Sequence, residues 1–188
     1  MKKRVLIVLA EGFEDIEAVA SIDVLTRAGC EVTVAGLTPG PIAAAYGTTI
    51  QPQIPLDQVP ESLFDAIFFP GGRRNAQALA ASEKVVRLAQ RHFQAGKLVS
   101  AICAAPSHVL GEAAGVLKGR RASGDPAFND KLAASGAIIT DKMVTVDGNL
   151  ITGVGPGAAM LFALQLTEYL CGKDVADGYA AKWGVDRG

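Results

Sequence analysis

A cysteine that directly follows an apolar run and directly precedes a helix start is placed for nucleophilic chemistry. Cys103 has that setting: Leu98 to Ile102 (LVSAI) runs up to it, and Pro106 stands in the first turn of the helix expected next, where its missing N–H costs little. At a strand-to-helix turn the sulfur lies near the unpaired N–H groups and positive pole of the following helix. That setting predicts a thiol pKa lowered to about 3.5–7.5 and a thiolate, the attacking form, at neutral pH. The plainer reading, a buried small hydrophobe like most free cysteines, stands beside it. Cys30 and Cys171 lie far from Cys103 and from each other along the chain. Odd in number and in no C-x-x-C spacing, the three argue against a disulfide framework and against a zinc site, and for a reducing compartment.

Two further segments with chemical potential also follow apolar runs. Glu11, Glu14 and Glu17 come after Arg4–Leu9, and Gly71-Gly72 comes after Ala66–Phe69 and Pro70. A glycine pair lets backbone approach a ligand closely, although a plain tight turn uses the same residues. Glu17 taken alone reads first as a solvated carboxylate gaining from the helix dipole. The run Gly153–Gly157 (GVGPG) looks at first like a phosphate loop, but Pro156 removes one N–H and no Lys-Ser/Thr follows, so close packing beside the cysteine is expected instead. His92 and His108 fall inside expected helices and read as structural or surface residues.

The elements that must position these groups alternate. A β-branched and Leu run at Arg4–Leu9 predicts a strand buried on both faces, followed by a helix from Asp15 to Ala28 closed by Gly29. Glu31–Gly36 is a second strand, and Thr49–Ile54 a short further strand at the sheet edge. Ala66–Phe69 is the next strand, then a helix from Glu83 to Ala95 stopped by Gly96, then Leu98–Ile102 as the central strand. Beyond it come a helix over Asp125–Ala134, a strand at Ala137–Ile139, a hairpin from Met143 to Ile151 turning at Asp147-Gly148, and helices from Gly157 to Leu170 and Val175 to Trp183. Such alternation predicts a mostly parallel sheet covered on both faces, a three-layer α/β/α sandwich. Ligands of open parallel sheets bind beyond the carboxyl ends of the strands, which is where the glutamates, Gly71-Gly72 and Cys103-Ala104 fall.

With 188 residues, 49% of them hydrophobic, the chain is expected to fold as one domain over residues 1–188. Its 18 Lys+Arg balance 19 Asp+Glu, so no basic stripe is available for nucleic acid or anionic lipid. The apolar run after Lys2-Lys3 is short and is followed by acidic residues, so it reads as a strand and not a signal peptide, and no stretch is long enough to span a bilayer. A cytoplasmic protein is expected.

Taken together, FFPGG at Phe68–Gly72, AICAAP at Ala101–Pro106 and GVGPG at Gly153–Gly157 resemble the DJ-1/PfpI (ThiJ) superfamily over nearly the whole chain. EGFEDIE before the first helix and VAGL after the second strand resemble its DJ-1 branch. The resemblance implies a flavodoxin-like sandwich, a homodimer, a nucleophile-elbow cysteine at Cys103 and a partner glutamate at Glu17, which leaves Glu11 and Glu14 as decoys. It also implies an oxyanion hole from the N–H groups of Gly72 and Ala104, next to Gly71, with no metal and no cofactor. A carboxylate beside a thiolate is repulsive, so the pair makes sense if Glu17 keeps its proton and donates it to sulfur.

Two departures stand out. Protease-like members carry a histidine directly after the nucleophile, where this chain has Ala104. In DJ-1 proteins a histidine precedes the proline matching Pro126, where this chain has Asp125; an anion there disfavours a thiolate unless Arg120 and Arg121 offset it. Asp125 and Pro126 are therefore candidate pocket residues. Three functions follow from the resemblance: a glyoxalase III- or deglycase-like enzyme acting on methylglyoxal or glyoxal, with Cys103 as nucleophile and Glu17 as proton shuttle; a peroxide-sensing, redox-regulated chaperone; and, behind both, a small cysteine hydrolase.

Overall fold

In the computed structural model, which describes residues 1–187, the strands are β1 (Arg4–Leu9), β2 (Glu31–Gly36), β3 (Ile42–Ala43), β4 (Thr49–Ile50), β5 (Ile54–Pro55), β6 (Ala66–Phe69), β7 (Leu98–Ile102), β8 (Arg121–Ala122), β9 (Ile138–Ile139), β10 (Val144–Asp147) and β11 (Leu150–Gly153). The helices are α1 (Asp15–Arg27), α2 (Arg73–Ala80), α3 (Glu83–Gln94), α4 (Asn129–Ala134), α5 (Ala159–Cys171) and α6 (Lys173–Trp183), with a wide-turned π-helical stretch at Pro106–Ala113. One seven-stranded sheet runs in the order β10-β11-β7-β6-β1-β2-β5. Every pairing in it is parallel except the β10–β11 hairpin.

The apolar runs read as doubly buried strands form that sheet, and their alternate side chains feed two cores. Leu6, Val8, Ile67, Phe69, Val99 and Ala101 pack with Leu79, Val85, Leu88 and Val109, so α2, α3 and the π-helical stretch cover one face. Val5, Ile7, Leu9, Phe68 and Ile102 pack with Ala18, Leu25, Phe162 and Leu166, so α1 and α5 cover the other. The expected three-layer sandwich, flavodoxin-like in its sheet, is the fold observed.

Chain direction reverses beside β1. After β1 the chain moves outward through β2 to the edge strand β5, then returns to pair β6 with the opposite side of β1. That is the topological switch point, and the carboxyl ends of β1, β6 and β7 meet there. The buried Asn75 side chain ties two of those ends together: it accepts from the Ala10 N–H at 2.7 Å and donates to the carbonyls of Pro70 at 2.7 Å and Gly71 at 3.1 Å.

Several expectations change. The central strand is β6, with β7 beside it. Helix α2 was hidden in sequence because its Arg-Arg-Asn start looks like a continuation of the Gly-Gly turn. The helix expected over Asp125–Ala134 splits into a 3-10 turn at Pro126–Phe128 and α4, because the Asp125 side chain accepts the Ala127 N–H and closes a local turn first. The strand around Ile138 pairs with β8, outside the main sheet. Cys30 and Cys171, distant in sequence, lie with their sulfurs 3.6 Å apart, because α1 and α5 share one face of the sheet. Among the described residues no helix is long and apolar enough to cross a membrane.

Candidate active site

Cys103 leaves β7 with a φ of 62°, and among the described residues it is the sole non-glycine with positive φ. A cysteine in the left-handed region is strained by roughly 1–3 kcal/mol and persists when its surroundings over-determine it. Here its N–H donates to the Gly153 carbonyl at 2.9 Å, and its carbonyl accepts from the Asp125 N–H at 2.8 Å. The GVGPG run thus serves the elbow by close packing: a Cβ on Gly153 would lie 3.0 Å from the Ile102 side chain.

Beneath the sulfur lies Glu17, in the first turn of α1 and 0% exposed. Its Oε2 accepts the Gly71 N–H at 2.7 Å, and its Oε1 is buried without a hydrogen-bond partner. Gly71 must be glycine, since a Cβ there would fall 2.4 Å from the Cys103 Cβ and 2.6 Å from Glu17 Oε2. Gly72 is held at a φ of 86°, where a Cβ would sit 2.1 Å from the Gly12 carbonyl. The N–H groups of Gly72 and Ala104 both donate to Sγ. Two preorganised donors therefore converge where an oxyanion on a carbon bonded to sulfur would form.

Burial pushes the Glu17 carboxyl up to about 8, opposed by the Gly71 N–H and reinforced by Glu14. The Cys103 thiol is pushed up to about 12, first by burial, then by the Glu17 carboxylate; the Gly72 N–H pulls the other way, Asp125 adds to the rise, and the Ala104 N–H opposes it. The lowered pKa expected from the helix pole is thus corrected. The following helix is a π-helical stretch that starts only at Pro106, and desolvation with two carboxylates outweighs its pole. The Glu17 charge raises the thiol whereas Cys103 opposes the rise of Glu17, so Glu17 gives up its proton first, at about 8, and the thiol keeps its own.

A cavity of about 510 Å³ opens above this pair. Cys103, Gly72, Ala104 and Asp125 line it, Gly71 and Glu17 sit behind the sulfur, and Pro126 is exposed and outside the lining. Asp125 Oδ2 lies 3.9 Å from Sγ. Arg120 and Arg121 do not offset it, since both are drawn to Asp147 and its neighbouring backbone. Glu11 is exposed and pairs with Arg74 at 3.3 Å. Glu14, set aside with it, belongs to the site: it lines the cavity and caps α1 by accepting the Glu17 N–H at 2.8 Å. Both histidines are buried in structural roles, His92 bonded to Phe64 N–H and Leu88 carbonyl, His108 to Ala104 carbonyl and edge-on to Phe128. Sequence reasoning missed Tyr46, Arg73 and Phe128 in the lining. Arg73 directly follows Gly72 and had a signal; Tyr46 and Phe128 come from segments without one. Among the described residues no group of three or more His, Cys, Asp and Glu is arranged to hold a metal ion.

The DJ-1/PfpI family profile matches residues 3–169. Protein DJ-1 homolog A of Arabidopsis thaliana is 39% identical over 176 residues, which are 93% of this chain but 45% of that protein, so the chain spans about half its length. A protein from Thermococcus kodakarensis named a deglycase is 36% identical over 167 residues, covering 89% of this chain and 99% of the archaeal one. The crystal structure of Drosophila melanogaster DJ-1beta superposes with a TM-score of 0.92 at 37% identity, covering 99% of this chain and 100% of that one.

Glu17 gives the stability a pH signature. Folded, it holds its proton to about 8; unfolded, it releases it near 4.5, so between these values the folded state binds more protons and stability falls as pH rises. The gap corresponds to about 5 kcal/mol at about 1.36 kcal/mol per pH unit. The contribution is fully present below 4.5 and lost as pH passes about 8. His92, whose pKa burial lowers, acts with the opposite sign, so the comparison is with Glu17→Gln. Urea unfolding from pH 4.5 to 8 is expected to show wild-type stability falling relative to Glu17→Gln. Parallel curves for the two proteins would mean that Glu17 is not protonated in the folded state.

Proposed function

Since the chain belongs to the DJ-1/PfpI family, we propose that it is a cysteine-dependent, cofactor-independent enzyme acting on α-oxoaldehydes such as methylglyoxal, a glyoxalase III- or deglycase-like activity. The observation that carries this reading is the Cys103 sulfur packed beside the fully buried Glu17 carboxyl, both crowding the position that a side chain on Gly71 would take. The name deglycase borne by the archaeal relative supports it.

The geometry supports a sequence of steps that begins with Glu17 as the carboxylate, which takes the proton of the Cys103 thiol as the sulfur attacks. Cys103 Sγ adds to the aldehyde carbon, the new oxyanion is received by the Gly72 and Ala104 N–H groups, and Glu17 gives it a proton. Glu17, now a carboxylate, takes the hydrogen from that carbon to form an enediol and returns it to the neighbouring carbon. The resulting thioester is hydrolysed by water, releasing lactate from methylglyoxal and restoring Cys103. Water supplies the added oxygen, and one proton leaves with the carboxylate product.

The peroxide-sensing reading uses the same sulfur, so experiment must separate it. The hydrolase reading loses support, because neither His92 nor His108 lines the cavity as a general base. We also propose a homodimer. Ile16 and Val19 on α1 are 57% and 46% exposed, and Tyr46, held beside them by its N–H to Asp15, is 82% exposed. These three form an apolar face suited to a second copy.

With methylglyoxal, wild-type protein is expected to form lactate at a rate that rises with pH toward about 8, as the pair loses its first proton. Cys103→Ala should be inactive, and Glu17→Gln should lose at least about 100-fold, the lower end of what general acid–base catalysis supplies. Full activity in Glu17→Gln would remove its shuttle role. No wild-type turnover, with selective oxygen addition to Cys103 by peroxide, would favour the sensor. In sedimentation, wild type is expected at twice 19.4 kDa and Val19→Glu at the monomer mass; a monomeric wild type at micromolar concentration ends the dimer proposal.

A further inference from the structure

Four charged side chains line the cavity: Glu14, Arg73, Arg74 and Asp125. Three are committed. Glu14 accepts the Glu17 N–H, Asp125 Oδ1 accepts the Ala127 N–H, and Arg74 pairs with Glu11. Arg73 makes no hydrogen bond or ion pair among the described residues. Its guanidinium lies over the Phe128 ring, 5.2 Å from the centroid, a contact that fixes the group while leaving its N–H edge for an anion. The cavity's volume of about 510 Å³ falls in the range that takes drug-sized ligands, far more than methylglyoxal fills.

We propose that Arg73 is a specificity residue and that the substrate is an α-oxoaldehyde whose far end bears a carboxylate. This deepens the oxoaldehyde reading and rests on it. The aldehyde end meets Sγ at the cavity floor, and the carboxylate pairs with the Arg73 fork, the geometry that guanidinium offers and ammonium does not. The overall change is OHC–CO–R–COO⁻ plus water giving ⁻OOC–CH(OH)–R–COO⁻ plus a proton. Nothing is oxidised or reduced overall, since the aldehyde carbon gains what the ketone carbon loses.

Two arms test it. The first compares kcat/KM for 4,5-dioxopentanoate, which should give 2-hydroxypentanedioate, with that for the neutral 2-oxopentanal. Arg73→Met is expected to lower the acid-to-neutral ratio at least tenfold and Arg73→Lys to restore part of it, whereas Arg74→Met keeps the wild-type ratio. The second measures alkylation of Cys103 by iodoacetate relative to iodoacetamide, which needs no turnover; Arg73→Met should lower that ratio too. Turnover of both aldehydes with neither ratio changed by Arg73→Met overturns the anion preference and leaves the oxoaldehyde reading standing. No turnover with a lowered alkylation ratio does the reverse.

A separate observation carries a second inference. Cys30, buried at the entry to β2, and Cys171, partly exposed at the end of α5, bring their sulfurs to 3.6 Å from opposite ends of the chain. We infer that they are a disulfide-forming site for hydrogen peroxide as oxidant. Cys171 is the accessible thiol, whereas burial pushes Cys30 up to about 12 and leaves it the resolving partner. Peroxide converts the Cys171 thiol to a sulfenic acid and releases one water; the Cys30 sulfur then displaces the hydroxyl as a second water, forming the S–S bond. Peroxide-treated Cys103→Ala protein is expected to lose both remaining titratable thiols and two hydrogens in mass, with a higher Tm reversed by dithiothreitol, and Cys171→Ser should abolish all three changes. Retained thiols, or oxygen added at Cys171 without loss of the Cys30 thiol, overturn it.

Discussion

A fully buried carboxyl held beside a partly buried thiol sets the terms for the rest of this molecule. Burial makes ionisation costly for both and pushes both above their ordinary values, and the Glu17 charge raises the thiol further. Holding them there requires a helix that starts at the right height to present Glu17, a residue without a side chain at Gly71 to let the sulfur and carboxyl approach, and a cysteine bent into the left-handed region. Each of these is locally unfavourable. The surrounding sheet, with two cores of fully buried Phe, Leu and Ile, stabilises them collectively.

The topology explains how three distant segments serve one pair. Strands β1, β6 and β7 are neighbours at the point where the chain changes direction, so the segments leaving their carboxyl ends share one crevice. Asn75 then locks the first two by bonding to both backbones, and the Gly153 carbonyl fixes the third from β11. The positioning is therefore done by one buried side chain and by the backbone, which a fold keeps when surface side chains change.

How much of this the sequence discloses depends on the range of each signal. The doubly buried strands are legible because an uninterrupted apolar run such as Val5–Leu9 has few other uses, and the elbow is legible because Cys103 ends such a run. Glu17 became legible through family resemblance, since nothing local distinguishes it from the capping Glu14. The direction of the thiol shift was not legible: the helix pole is a local inference, whereas burial and the approach of Asp125 arise from tertiary packing. The same holds for Arg73 over Phe128, and for Cys30 against Cys171, contacts between residues far apart in sequence. Asp125 is legible as a pocket anion, but helical periodicity across Asp125–Ala134 masks the local turn by which its side chain splits the expected helix.

Asp125 also bears on why a high thiol value is compatible with nucleophilic work. Intrinsic nucleophilicity of a thiolate falls as its pKa falls, so a standing, low-pKa thiolate attacks more weakly and is exposed to oxidation throughout. With Asp125 at 3.9 Å and Glu17 beneath it, the Cys103 sulfur in the resting pocket keeps its proton. When the pair gives up one proton, Glu17 becomes the carboxylate, and by taking the thiol proton as the sulfur attacks it removes the larger of the two repulsions and turns from a rival anion into a proton donor. The attacking sulfur then has the basicity of a buried thiolate and two N–H groups ready for the oxyanion it creates. A histidine in place of Asp125 would supply a cation or a neutral ring and drop this restraint. The aspartate therefore shifts this site toward a guarded nucleophile, released by loss of a proton from the pair and not by a permanently charged sulfur.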